Sequence, residues 1–187
     1  MRPHIPQRKR IYLGCEGESE QSYGKRLNEI ADSAGLHLYI DCDVLQPGGG
    51  DPLALVETAI KHIRQKAFRR GPFENCGVIL DADKLRVSPE RDLQLQRLAN
   101  THRIHLIWQR PCHEGFLLRH FERQETMRPQ NSELAMQALS RLWPEYRKGA
   151  PASELASRID RNAIHRAAAV EPDFRAFLVR IGLAAEL

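Results

Sequence analysis

Apolar residues in this chain fall into short strand-like runs separated by longer stretches with helical spacing. Ile11-Tyr12-Leu13-Gly14-Cys15 and Val78-Ile79-Leu80 are continuous runs, and residues 104–108 form a third. Residues 36–45 alternate instead, with Leu38, Ile40, Cys42 and Val44 on one side. All four read as strands, and Val78-Ile79-Leu80 reads as one buried on both faces. Between them, Tyr23, Leu27, Ile30 and Ala31 share one face of a helix expected over residues 20–34, with Ser19 as its cap and Gly35 as its stop. Leu55, Val56, Ala59, Ile60, Ile63 and Ala67 mark a second helix, capped by Asp51 with Pro52 in its first turn. Ser88-Pro89-Glu90 opens a third, with Leu93, Leu95 and Leu98 among its apolar positions, ending near His102. Residues 111–121 read as a turn into a short amphipathic helix. This alternation of strand and helix predicts an α/β fold: a mostly parallel sheet of about four strands flanked by helices.

From about residue 127 onward there is no strand pattern. Helices are expected over residues 132–142, 152–169 and 172–182, separated by Trp143-Pro144, Gly149-Ala150-Pro151 and Glu171-Pro172. The chain therefore divides into an α/β core over residues 1–126, opening on a basic lead-in over residues 1–10, and a helical extension over residues 127–187 packed on that core.

The chemistry suggested by this layout lies at the strand ends. In an open parallel sheet all carboxyl ends lie along one edge, where such folds place their ligands. Asp81 and Asp83 follow the third strand, Glu16 the first and Glu114 the fourth. Aspartates at a strand end also suit a solvated turn, and that reading stands beside the functional one. Carboxylates gathered at one edge repel one another unless a cation compensates them, and an oxygen-rich set suits Mg²⁺ or Mn²⁺. Such an ion can orient water for phosphodiester hydrolysis, with a remaining carboxylate as general acid or base.

Composition narrows the classes. The 187 residues are 42% hydrophobic and 28% charged, the balance of a water-soluble domain. No apolar run approaches the span of a bilayer and none resembles a signal-peptide core, so the expectation is a cytoplasmic protein with no membrane partner. Cys15, Cys42, Cys76 and Cys112 are scattered without a C-x-x-C pair, and read as small buried hydrophobes. Cys112-His113 could offer two metal ligands, but adjacent side chains usually diverge. A net charge of +4 is compatible with a polyanionic partner. Lys84, Arg86, Arg110, Arg119 and Lys148 are candidates to contact phosphate, each also readable as a solvated charge. Tyr23 and Trp108 read as core rather than as base-stacking residues. The Gly48-Gly49-Gly50 loop lacks the Lys-Ser/Thr of a P-loop and reads as a connection.

Cys15-Glu16-Gly17-Glu18-Ser19-Glu20 ahead of a helix, with Leu80-Asp81-Ala82-Asp83 closing a later strand, resembles a Toprim active site. More specifically, the chain resembles the RloB-like family over almost its full length. That likeness includes the run from Pro111-Cys112-His113-Glu114-Gly115 to Phe121, then Tyr146-Arg147-Lys148 and Ala163-Ile164-His165-Arg166-Ala167. The resemblance implies a Toprim-like fold, Mg²⁺ (or Mn²⁺) dependence and nuclease activity on DNA or RNA. It also implies a setting in bacterial anti-phage defence, often beside an ATPase. By position, Glu16 would be the general acid/base and Asp81 and Asp83 metal ligands, with Glu16 also able to ligate. Glu114 would be a further acid, with Glu18, Glu20 and His113 around them. The chain departs from the family pattern at Glu20-Gln21, at His113, where an apolar residue is usual, and at Gly115, where an aliphatic one is. A rival reading is a regulatory module that binds metal or nucleotide and partners an ATPase without cutting anything.

Overall fold

A computed structural model describes residues 8–45, 50–85 and 88–184, with the Lys84 side chain left out. Four strands, β1 (Lys9–Cys15), β2 (Leu38–Val44), β3 (Asn75–Asp81) and β4 (Ile104–Gln109), form one all-parallel sheet in the order β2-β1-β3-β4. The fold is α/β, as the alternation of patterns predicts. Helix α1 (Glu18–Ser33) links β1 to β2, α2 (Pro52–Arg70) links β2 to β3, and α3 (Pro89–Thr101) links β3 to β4. The chain moves outward from β1 to β2, then crosses back past β1 to β3. Crossovers of one hand therefore place α1 on one face and α2 and α3 on the other.

The core divides accordingly. Odd-numbered strand residues Ile11, Leu13, Ile79 and Ile107 pack with Tyr23, Leu27 and Ile30 of α1. Even-numbered Tyr12, Val78, Leu80 and Trp108 pack with Val56 and Ala59 of α2 and Leu95 of α3. Five further helices follow: α4 (His113–Leu118), α5 (Ser132–Leu142), α6 (Ala152–Leu155), α7 (Arg161–Val170) and α8 (Pro172–Ile181). Their apolar residues, including Leu139, Ile164, Phe174 and Phe177, join the α1 face. At the contact of α8 with β3, a Cβ on Gly77 would stand 2.7 Å from the Phe177 ring, so the absent side chain lets the helix lie directly on the strand. No helix among the described residues is long and apolar enough to cross a membrane.

Several boundaries differ from the sequence reading, each for a local reason. Helix α1 begins at Glu18, with Gly17 rather than Ser19 at its cap, and the Gly17 N–H donates to Glu20 Oε2 at 3.0 Å. The acid three residues into the helix thus does the capping that Ser19 was expected to do. The helix expected over residues 152–169 is two. Asp160 caps α7 by accepting the Ala163 N–H at 2.7 Å, and Arg26 Nε donates to the Ile159 carbonyl at 2.8 Å, so the break leaves that carbonyl satisfied. Leu93 is 53% exposed, because α3 buries only Leu95 and Ala99. Helix α4 is buried at all six positions, not amphipathic, since it lies between α1 and the C-terminal helices.

Candidate active site

The parallel sheet sends β1 and β3, its two central neighbours, to the same edge, where α1 and the β3–α3 connection leave toward opposite faces. This divergence opens a crevice at the switch point of the strand order. Glu16, just past β1, is 8% exposed. Its Oε2 accepts the backbone N–H of Asp81 at 3.1 Å, and its Oε1 accepts the Gly50 N–H at 3.4 Å. Two main-chain donors from different loops therefore orient one carboxylate across the strand gap.

Asp81 is the last residue of β3 and Asp83 lies exposed on the 3-10 turn Ala82–Lys84 that follows. Asp81 Oδ1 is buried and accepts no hydrogen bond. Burial pushes the Asp81 carboxyl up to about 9, and the fields of Glu20, Glu16, Asp83 and Glu114 add to the shift. At neutral pH this carboxyl therefore holds its proton. That is the behaviour of a carboxyl buried beside like charges, not of a solvated turn residue.

Helix α4 supplies the far wall. Glu114, 3% exposed, accepts the Cys112 S–H at Oε2 (3.3 Å), and its Oε1 lies 3.5 Å from Lys148 Nζ. Lys148 belongs to the segment between α5 and α6, which is tied to α1 by the Gly149 N–H donating to Ser19 Oγ at 2.9 Å. The Tyr146 ring is buried beside the same acids, whose charges, after burial itself, push its phenol upward. His113 is 2% exposed, with Nδ1 3.0 Å from the Gln109 amide and 3.8 Å from Glu20 Oε1, while its Nε2 is buried without a hydrogen-bond partner. Cys112 and His113 turn to different partners, as adjacent residues usually do. Glu18 is exposed at the first position of α1, beside a groove of about 440 Å³ shared with Lys148 and Gly149.

The structure thus brings Glu16, Glu20, Asp81, Asp83, Glu114, His113 and Lys148 to one end of the sheet. Arg119 does not join them, which corrects the expectation of a phosphate contact. It is fully buried, pairs through Nε with Glu171 Oε1 at 2.5 Å, and donates to the carbonyls of Gly115 and Arg110. A cation enclosed in this way fastens the loop ahead of α4 and cannot reach a substrate. Arg110 is exposed but paired with Asp173 at 3.3 Å. Arg86, Gly48, Gly49 and the Lys84 side chain lie outside the described residues.

Gln109 carried no sequence signal, and Tyr146 entered only as part of the motif Tyr146-Arg147-Lys148, with no role attached: a glutamine ending a strand and a tyrosine after a proline look like surface residues until the fold buries them. His120, in the same motif as His113, is structural. Its Nδ1–H donates to the Phe116 carbonyl (3.2 Å), its Nε2 accepts the Tyr23 O–H (2.8 Å), and burial lowers it to about 3.

Gly115 explains one departure from the family pattern. A Cβ there would stand 2.6 Å from Pro111 Cδ and 2.9 Å from the Arg110 carbonyl. Gly115→Ala should therefore destabilise the protein by about 1–3 kcal/mol, since backbone rather than a flexible side chain must move. Urea unfolding at pH 7 measures this, and an unchanged midpoint would show that the loop yields freely.

Among the described residues no three His, Cys, Asp or Glu side chains are already drawn together as a metal-binding set. Mg²⁺ does not require one. It keeps several waters and is commonly held by one or two carboxylates plus substrate phosphates, and Glu16 with Asp81, the latter carrying an unpartnered oxygen, is a set of that kind. Neither a curated protein nor a solved structure matches the chain. Residues 11–176 match the family described as RloB-like protein, a span running from β1 into α8 and including every acid of the crevice. By that match, the chain belongs to the RloB-like family.

Proposed function

We propose that this protein is a divalent-cation-dependent nuclease hydrolysing phosphodiester bonds of DNA or RNA at the carboxyl ends of β1 and β3. The observation that carries the reading is Asp81: a carboxyl with a buried, unpartnered oxygen, set among four other acids and raised to about 9. Near neutral pH the arrival of positive charge would release its proton and offset the repulsion from the neighbouring acids.

Asp81 and Glu16 would hold Mg²⁺ or Mn²⁺, with Asp83 on the adjacent turn free to swing in. A bound ion of this type supplies neutralisation of phosphate charge and a more acidic water. The remaining work falls to the chain. Glu16, fixed by the Asp81 and Gly50 N–H groups, is oriented toward the reacting phosphate and is suited to move a proton. Lys148 brings an ammonium to Glu114 and can turn from that carboxylate to a phosphate oxygen of the substrate. Glu20 and His113 hold the wall between α1 and α4. A role as effector of bacterial defence, acting beside an ATPase, follows from the family resemblance and is part of the same proposal.

The test is a cleavage screen of purified protein over single- and double-stranded DNA and RNA with Mg²⁺ or Mn²⁺. Glu16→Ala and Asp81→Ala should each lower the rate by about 10²–10⁴-fold while the circular dichroism spectrum is kept. Equal rates in wild type and both variants would refute the site. Cation binding without turnover on any substrate would instead favour the regulatory module.

A further inference from the structure

β4 closes the sheet on one side, and its outer edge has no strand partner among the described residues. A groove of about 440 Å³ runs along that edge, walled by α3 and its C-terminal turn on one side and by α8 on the other. Its floor is β4 from Ile104 to Trp108. Arg103 and Arg180 stand exposed on opposite walls, and neither has an ion-pair partner among the described residues. Gln96 and Asn100 add neutral donors from α3. The one acid of the groove, Asp173, is already engaged: its carboxylate lies 3.3 Å from Arg110 Nη1, and its carbonyl meets His105 Nε2 at 2.7 Å.

We infer that this groove is the track of a single nucleic-acid strand, with Arg103 and Arg180 gripping successive phosphates on its way to the carboxylate crevice. The inference rests on the proposed function for its destination but not for its binding. Three observations support it. The unpaired charges lining the groove are both positive and come from its two walls, which complements a phosphate chain. Gln96 and Asn100 on the α3 wall offer side-chain amides to exposed base edges or sugar hydroxyls of a single strand. Its upper end also leads to the chemistry: Trp108 lies opposite Leu80, and Gln109 opposite Asp81. A backbone lying outside β4 at Trp108 is about two strand spacings, ~10 Å, from the β3 end that carries Asp81.

The test reads binding without turnover. Fluorescence anisotropy of labelled single-stranded DNA and RNA oligonucleotides is measured in EDTA against wild type and Arg103→Glu/Arg180→Glu. Arg64→Glu/Arg69→Glu on the exposed side of α2 changes net charge equally and serves as the control. The groove pair should weaken binding at least about tenfold. It should also reduce the slope of log K against log salt by about 1.4, at about 0.7 per phosphate contact on a single strand. The neutral pair Arg103→Gln/Arg180→Gln should show the same salt effect if charge reversal perturbs folding.

Equal weakening by the α2 control would mean that only net charge matters, and would overturn the inference. So would unchanged oligonucleotide binding in both groove pairs, the result expected if the open edge instead takes a peptide strand. Groove-dependent binding with no cleavage under any cation would sink the nuclease reading and leave the track standing. Cleavage that is indifferent to the groove pairs would do the reverse.

Discussion

Asp81→Asn is expected to make the cation-free protein more stable at pH 8 while removing the proposed nuclease activity. The folded-state pKa of Asp81 is raised to about 9 from an ordinary 3.8, so between those values the folded protein binds this proton more tightly than the unfolded chain does. Stability therefore falls as pH rises through that window, with nothing lost below the lower value and the full penalty present above the upper one. An asparagine has no proton to lose. At pH 8 in EDTA the variant should exceed wild type by roughly 1–3 kcal/mol, a figure set below the full shift because the carboxyl keeps some contact with water. At pH 4 the two should nearly coincide. Millimolar Mg²⁺ or Mn²⁺ should raise the melting temperature of wild type and leave the variant unmoved, because only the carboxylate gains from the ion. Thermal unfolding at both pH values, with and without the cation, provides the measurement. An asparagine variant equally destabilised at pH 4 and pH 8 would show that the side chain is wanted for packing, not for charge.

The second large effect belongs to a residue outside the carboxylate crevice. Glu171→Ala should destabilise the fold by about 3–5 kcal/mol, because it strands the fully buried Arg119 guanidinium without its counter-ion. For a chain of this length that corresponds to a fall in melting temperature of roughly 10 °C. Burial already holds Arg119 down to about 10 and raises Glu171, so desolvation outweighs mutual attraction in both partners. The pair is thus costly to keep, and its value lies in geometry. Arg119 binds the carbonyls of Arg110, in the turn ahead of α4, and Gly115, in the first turn of α4, and so fixes the helix start that carries His113 and Glu114. Arg119→Met/Glu171→Leu should recover part of the stability but not the activity, because those carbonyls lose their donor and the loop its anchor. Full recovery of both would show that the ion pair positions nothing.

How far the site could be read in the chain depended on distance along it. The Asp81-Ala82-Asp83 strand end and Glu16-Gly17 were visible because a buried apolar run that stops at an acid is a local signal. Their meeting followed from parallel topology, which requires carboxyl ends to share an edge. Glu20 and Glu18, only two residues apart, separate into a buried cap and an exposed first-turn residue. Nothing in their types distinguishes them, since helix phase at the α1 start decides which one turns inward. Arg119 failed as a phosphate candidate for the same reason. An arginine in a basic motif looks solvated, and only the packing of α8 against α4 encloses it.

The sequence by itself determined the α/β class, the parallel sheet, the cap at Asp51, the helix start at Ser88-Pro89 and the acids at the strand ends, because these rest on periodicity and on neighbours within a turn or two. Only the tertiary structure decided that β1 and β3 lie side by side, that Lys148 returns from the C-terminal helices to Glu114, and that Arg119 is an anchor. It also left β4 as an open, cation-walled edge. Each of these depends on contacts between residues far apart in the chain, formed when a hydrophobic face closes, and no local pattern encodes which distant partner that face will meet.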